Sequence, residues 1–229
     1  MSYNNYYRLN PPPSWNQHAQ GSPLQKPHAP IPIQSPLPNS SSLQIQSIPR
    51  ALEVSFTSIS GRHMRVTSET PNGPLLYAAD LRTRKPHMLF QETGFPTSTL
   101  PASVIFHNFS WTIDATINGA NIPMRPVSKA RMEYGFTSRA LGGGGNRRLT
   151  WKMPQGARDL DLDCVEEKTG SVFATWRAHK GWSGRKAGRM EILQPAVEAA
   201  MVAGDKGAVD ELVVTGLANV YLQIMQVAA

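Results

Sequence analysis

Residues 209–229 read VDELVVTGLANVYLQIMQVAA, and after Asp210 and Glu211 no charged side chain follows. Large apolar residues fill most positions: Leu212, Val213, Val214, Leu217, Val220, Tyr221, Leu222, Ile224, Met225 and Val227. On a helix they point in nearly every direction, leaving Thr215, Asn219, Gln223 and Gln226 as a thin polar stripe at three- and four-residue steps. A helix apolar on almost all sides has to be enclosed by protein or by lipid. The run exceeds a usual strand of about 4–8 residues, so a helix is expected over residues 210–227, about 27 Å long. Asp210 stands where an N-cap would, and with Glu211 it puts negative charge at the positive end of the helix dipole. Gly216 and the β-branched residues oppose the helix modestly. A membrane-spanning helix wants about 20 predominantly apolar residues; this run is slightly short and carries Gly, Asn and Gln. Burial inside protein is the first expectation and a membrane anchor the alternative.

The N-terminal fifty residues differ from the rest. They hold ten of the 19 prolines, no acidic residue, and only Arg8, Lys26 and Arg50 as bases. Leu24, Ile31, Ile33 and Leu37 are isolated there between polar residues and prolines. Such a segment cannot bury enough surface to offset its chain entropy, so residues 1–50 are expected to be a disordered tail. Its proline runs favour the polyproline II shape that aromatic-grooved domains recognise, which makes a protein partner for the tail an open expectation. The remaining 179 residues suffice for one core. Cys164 is the single cysteine, so no intrachain disulfide forms and a reducing, cytoplasmic setting is expected. The net charge of +7 divides into +3 on the tail and +4 on residues 51–229. That excess suits anionic partners and is too mild to call for nucleic acid.

From Ala51 onward short alternating segments follow one another at the spacing of a sheet that closes on itself. Ile59-Ser60-Gly61 turns the chain so that Phe56 faces Met64 and Val54 faces Val66. Asn118-Gly119 is a two-residue hairpin signal pairing Ile117 with Ala120, Ala115 with Ile122 and Ile113 with Met124. Trp111–Ile117 is read as one of those strands, and Pro123 on the outer face suggests a sheet edge or strand end. Lys168-Thr169-Gly170 returns the chain so that Leu162 opposes Trp176 inside and Asp161 opposes Arg177 outside. Pro195–Ala203 suggests a short surface helix ended by Gly204. About twelve strands and one wholly apolar helix add up to a mainly β fold: a closed antiparallel barrel threaded by its C-terminal helix. The helix residues expected at its centre are Leu212, Val213, Leu217, Val220, Tyr221 and Ile224.

Glu191-Ile192-Leu193 followed after a linker by Asp210-Glu211-Leu212-Val213-Val214-Thr215-Gly216-Leu217-Ala218 resembles the end of tubby C-terminal-like domains. So does the hairpin with Thr169, Gly170, Val172, Ala174 and Trp176. The resemblance spans residues 51–229 and is strongest to fungal members, related to the plant LURP-one-related proteins and the phospholipid scramblases. It implies a twelve-stranded barrel around a buried hydrophobic helix, in agreement with the count above. It also implies activity at membranes: tubby proteins bind phosphoinositides, scramblase-like members act on bilayers, and plant members are linked to defence. A scramblase-like protein inserting its C-terminal helix is the alternative that the resemblance adds.

The strongest local signal for a partner is Trp176–Arg189. It holds Arg177, Lys180, Arg185, Lys186 and Arg189 with His179 and two tryptophans, and no acid. A glycine-loosened tip presenting these bases, with Trp182 at the interface, suits an anionic lipid headgroup. At about 1 kcal/mol per base such a tip reaches only sub-millimolar affinity, so a second contact is needed, and Arg82, Arg84 and Lys85 are the candidates. Signals for catalysis are missing. Gly142–Gly145 is followed by no Lys-Ser/Thr and by a strand, unlike a phosphate loop. Asp159, Asp161 and Asp163 alternate, but Cys164 and Gly170 stand where a calcium loop needs Gly and Glu. His63, His87 and His107 lack zinc-ligand spacing. The expectation is a non-enzymatic binding module without cofactor or metal, cytoplasmic and peripheral at an anionic membrane surface.

Overall fold

The hairpin turns place one apolar face of each strand on a common side, and closure gives that side an inside. The computed structural model describes residues 48–57, 62–92, 102–107, 110–128, 132–142, 145–157, 160–179, 186–204 and 206–227, without the side chains of Glu92, Lys186 and Val227. Twelve strands run in order: β1 (Ala51–Phe56), β2 (His63–Ser68), β3 (Leu75–Leu81), β4 (Met88–Glu92), β5 (Ala102–His107), β6 (Thr112–Ile117), β7 (Ala120–Ser128), β8 (Glu133–Ser138), β9 (Arg147–Lys152), β10 (Leu162–Glu166), β11 (Val172–Ala178) and β12 (Lys186–Ile192). Each pairs antiparallel with the next, and β1 pairs with β12, so the barrel is closed and no strand edge is left for aggregation. Two helices follow, α1 (Gln194–Ala203) and α2 (Gly207–Val227).

The expected registers hold. Phe56 pairs with Met64 and Val54 with Val66, although turn residues 58–61 lie outside the described set. Ile117, Ala115 and Ile113 pair with Ala120, Ile122 and Met124, and Asn118 and Gly119 take the φ of 50° and 76° that this tight turn demands. Leu162 opposes Trp176. Three expectations need correction. Arg177 pairs with Asp163 at 2.7 Å, while Asp161 accepts the backbone N–H of Ala178 at 2.9 Å. Asp161 precedes the strand and is therefore free to turn back on the backbone. Pro123 is not at a strand end: it sits inside β7, paired with Asp114 on the β6 side and outside the ladder on the β8 side. The β7–β8 ladder runs only over Arg125–Ser128, so its missing N–H disturbs no pairing with β8. Trp111 lies outside β6, in the preceding turn, with φ 55°.

One end of the barrel, the base, carries the β2–β3, β6–β7 and β10–β11 turns. The other, the mouth, carries the β3–β4, β5–β6, β7–β8 and β11–β12 connections. α1 lies at the base, where Leu193 donates its N–H to Phe173 O at 2.9 Å. Its residues Ala196, Val197 and Ala200 are buried while Met201 and Val202 stay exposed, so it is the expected surface helix, lying as a lid on the core. Gly204 ends it in the left-handed conformation at φ 70°, as the sequence suggests. The domain also reaches back beyond Ala51: Ile48 packs on the core and Arg50 O accepts the N–H of Ile192 at 2.8 Å. The rest of the expected tail, residues 1–47, lies outside the described set.

α2 enters at the base and runs through the bore to the mouth. It begins at Gly207, three residues before the expected start, and spans 21 residues. Leu212, Val213, Leu217 and Val220 are buried as expected. Tyr221 and Ile224 are only partly buried, because the helix is leaving the bore there. By length and composition Gly207–Gln226 is apolar enough to cross a membrane, and most of that span is buried inside the protein. Thr215, Asn219 and Gln223 of the polar stripe are buried too and are partnered in part, Asn219 Nδ2 having no hydrogen-bond acceptor among the described residues. Trp151 Nε1 donates to Thr215 Oγ1 at 3.0 Å, and Thr215 donates back to Glu211 O at 2.6 Å. Gln223 Nε2 donates to Asn219 Oδ1 at 3.2 Å.

Candidate functional site

The basic stretch expected to meet an anion resolves into residues with different jobs. Arg177 is on β11 directly opposite Arg189 on β12, and two like charges side by side need neutralising. Arg177 donates to Asp163, to Leu162 O at 2.9 Å and to Trp176 O at 2.8 Å. Arg189 is 3.4 Å from Glu191 and donates to Glu69 O at 3.1 Å. Both therefore stitch the sheet and leave the set of anion-facing candidates. His179 pairs with Glu53. Lys180, Trp182 and Arg185 lie outside the described residues, and Lys186 is described only as the first residue of β12.

The mouth offers a better-defined site. A pocket of about 450 Å³ lies where the last turns of α2 emerge beside the β3–β4 and β5–β6 connections. α2 contributes Tyr221, Leu222, Met225 and Gln226; β5 and its turn contribute Phe106, His107 and Trp111; and the β3–β4 connection contributes Arg82, Thr83 and His87. The Phe106 and Tyr221 rings stand 5.9 Å apart and the His87 and Phe106 rings 5.5 Å. Trp111 and Met225 remain 39% and 52% exposed beside this pocket.

Polar groups at this mouth are positioned from several strands. His87 Nδ1 accepts the N–H of Phe106 at 3.0 Å, so its neutral ring carries its proton on Nε2. Burial first, then the charges of Lys85 and His107, hold this imidazole below its ordinary pKa. His107 Nε2 is 2.8 Å from Asp114, and Arg125 lies 3.9 Å from the other oxygen of that carboxylate. Arg82 is 3.9 Å from Asp80, which His63 also approaches to 2.8 Å. Arg84 and Lys85 are exposed and form no ion pair among the described residues. The mouth is thus an apolar pocket with a net basic rim. In the sequence, His87 and His107 stand out only as poor metal ligands and Trp111 as a strand residue; nothing local joins them. Among the described residues no three His, Cys, Asp or Glu side chains converge as a metal site. Cys164 is buried, and that burial raises its thiol pKa far from a reactive thiolate.

At the base, the two acids of α2 fix the helix in the bore. Asp210 is an interior helix residue, not the N-cap: its carboxylate accepts Tyr77 Oη at 2.8 Å and Asn118 Nδ2 at 3.4 Å, with Lys206 Nζ at 3.7 Å. Burial and the adjoining carboxylate push the Tyr77 hydroxyl well above its ordinary pKa. Glu211 accepts Ser138 Oγ and, at 3.3 Å, the N–H of Ala140. These contacts join α2 to β3, to the β6–β7 turn and to the end of β8, so the helix has one depth and one rotation in the barrel.

Fold and site together define a closed twelve-stranded antiparallel barrel plugged lengthwise by its C-terminal helix, with a ligand-sized pocket where the plug emerges. No family model matches the chain, and comparison with curated proteins and with solved structures returns no match.

Proposed function

We propose that this chain is a non-enzymatic binding module of the tubby C-terminal-like kind, which docks through its barrel mouth on membranes carrying anionic lipid such as phosphoinositides. The observation that carries the reading is the company kept at the mouth. Exposed Arg82, Arg84 and Lys85 share that end with exposed Trp111 and Met225. Ala178 and Lys186, which bracket the basic β11–β12 connection, belong to the same end. Bases draw a surface toward anionic headgroups at about 1 kcal/mol each, and an interfacial tryptophan adds the apolar contact that pure electrostatics lacks. A bore filled by α2, buried from Leu212 to Val220, supports binding over chemistry.

Co-sedimentation of the full chain with vesicles tests this. Binding is expected to vesicles containing phosphatidylinositol bisphosphate and not to neutral ones, to fall steeply with salt, and to drop about tenfold or more in an R84E/K85E variant. Substitution of Arg185 and Lys186 is expected to weaken it further. Absent binding, or binding indifferent to salt, would remove the reading.

A further inference from the structure

The basic rim and the pocket behind it have different chemistry. The rim is exposed charge, whereas the pocket presents Phe106, Trp111, Tyr221, Leu222 and Met225 beside two cationic or N–H-donating groups, Arg82 and His87, with Thr83, His107, Thr112 and Gln226 completing the lining. At about 450 Å³ it is large enough for a small molecule rather than an ion, and an apolar wall with few convergent donors is the pattern of a small-molecule site. We propose that this pocket binds a monomeric apolar carboxylate, its hydrocarbon body against Phe106, Trp111, Tyr221 and Met225 and its carboxylate met by Arg82 and the Nε2–H of His87.

Charge decides the sign of the ligand. The C-terminal end of α2 brings about half a negative charge to the mouth, but Arg82 and Lys85 bring full positive ones. The nearby acids are engaged: Asp114 by His107 and Arg125, and Asp80 by His63 at 2.8 Å and, more loosely at 3.9 Å, by Arg82 itself, whose half-exposed guanidinium keeps its remaining donors for a ligand. A guanidinium fork and an imidazole N–H suit the two oxygens of a carboxylate, and the apolar body of the pocket suits a hydrocarbon attached to it. His87 is held for this role by the Phe106 N–H on its other nitrogen, which leaves Nε2 as its single donor. The inference needs no bilayer, so it stands apart from the membrane reading.

Isothermal titration and native mass spectrometry of the full chain, with monomeric dodecanoate and with 2-naphthoate, test it and separate an acyl from an aromatic body. One-to-one binding of either probe is expected, weakened about tenfold in Arg82→Gln and abolished in Met225→Asp. Arg82 and Met225 are both exposed, and melting curves of the variants check that the fold survives. Binding of dodecanoate alone assigns an acyl ligand, and of naphthoate alone an aromatic one. No binding of either, or binding unchanged in both variants, overturns the proposal. Vesicle and monomer binding are measured separately, so loss of one leaves the other standing.

Discussion

Gly216 sits in the middle of α2, where general propensity says alanine is better by about 1 kcal/mol. The barrel reverses that sign. A Cβ built on Gly216 would stand 2.7 Å from Trp151 Cζ2, 3.0 Å from Trp151 Cη2 and 2.7 Å from Met190 Cε. The Met190 methyl ends a flexible chain and can swing aside. The indole cannot, because Trp151 is fully buried and its Nε1 is bonded to Thr215 Oγ1 on the same helix. Accommodating the methyl means shifting the indole or the helix by several tenths of an ångström. Overpacking of this kind costs about 1–3 kcal/mol, and stretching the indole hydrogen bond forfeits part of a further 0.5–1.5 kcal/mol or so. After subtracting the propensity gain, Gly216→Ala is expected to destabilise by about 1–2 kcal/mol. That is a fall of several degrees in Tm at about 2–4 °C per kcal/mol for a domain of this size. Urea denaturation followed by far-UV circular dichroism measures it. A cycle with Trp151→Phe, which removes the offending ring atoms, assigns the cause: the alanine should cost less in that background. A stabilised G216A, or costs that simply add in the cycle, would refute the close-approach argument.

Other outcomes follow from the base of the barrel. Tyr77→Phe removes a buried donor to Asp210 and is expected to cost about 1–3 kcal/mol in urea denaturation, and Asp210→Ala, which takes the buried acceptor from Tyr77 and one charge partner from half-buried Lys206, is expected to cost more than Tyr77→Phe; equal stability of all three proteins would show that the cluster does not hold α2. Glu211 has its carboxyl raised above its ordinary pKa by burial, against the lowering effect of Ser138 and the neighbouring N–H groups. A folded pKa above the unfolded one means a contribution present below the ordinary carboxyl range and lost as pH rises through the folded value. The stability of the natural protein relative to Glu211→Gln should therefore decline as pH rises above the ordinary carboxyl range, and an advantage that grows with pH would contradict this.

Much of the architecture was legible before any coordinates. Asn118-Gly119 and the strand alternation settle registers locally, because a side chain's face has period two and the turn sets which residues oppose. The apolar run at 212–227 demanded enclosure, and only a protein interior or a lipid could supply it. What the sequence misread were side chains whose roles depend on distant partners. Asp210 looked like a cap, yet its partners lie 133 and 92 residues away. Arg177 and Arg189 looked available, yet β11–β12 pairing sets them face to face and binds each to an acid.

The mouth pocket belongs wholly to tertiary structure. His87, Phe106, Trp111 and Tyr221 share no spacing or motif; only barrel closure and the depth at which α2 stops bring them together. The cost of a methyl at Gly216 is of the same kind, since it depends on where Trp151 arrives from the far side of the sheet. Local chain chemistry determined that strands alternate, where they turn and that the last helix must be hidden. Long-range closure decided which faces meet, because that outcome depends on the packing of all twelve strands at once rather than on any short stretch.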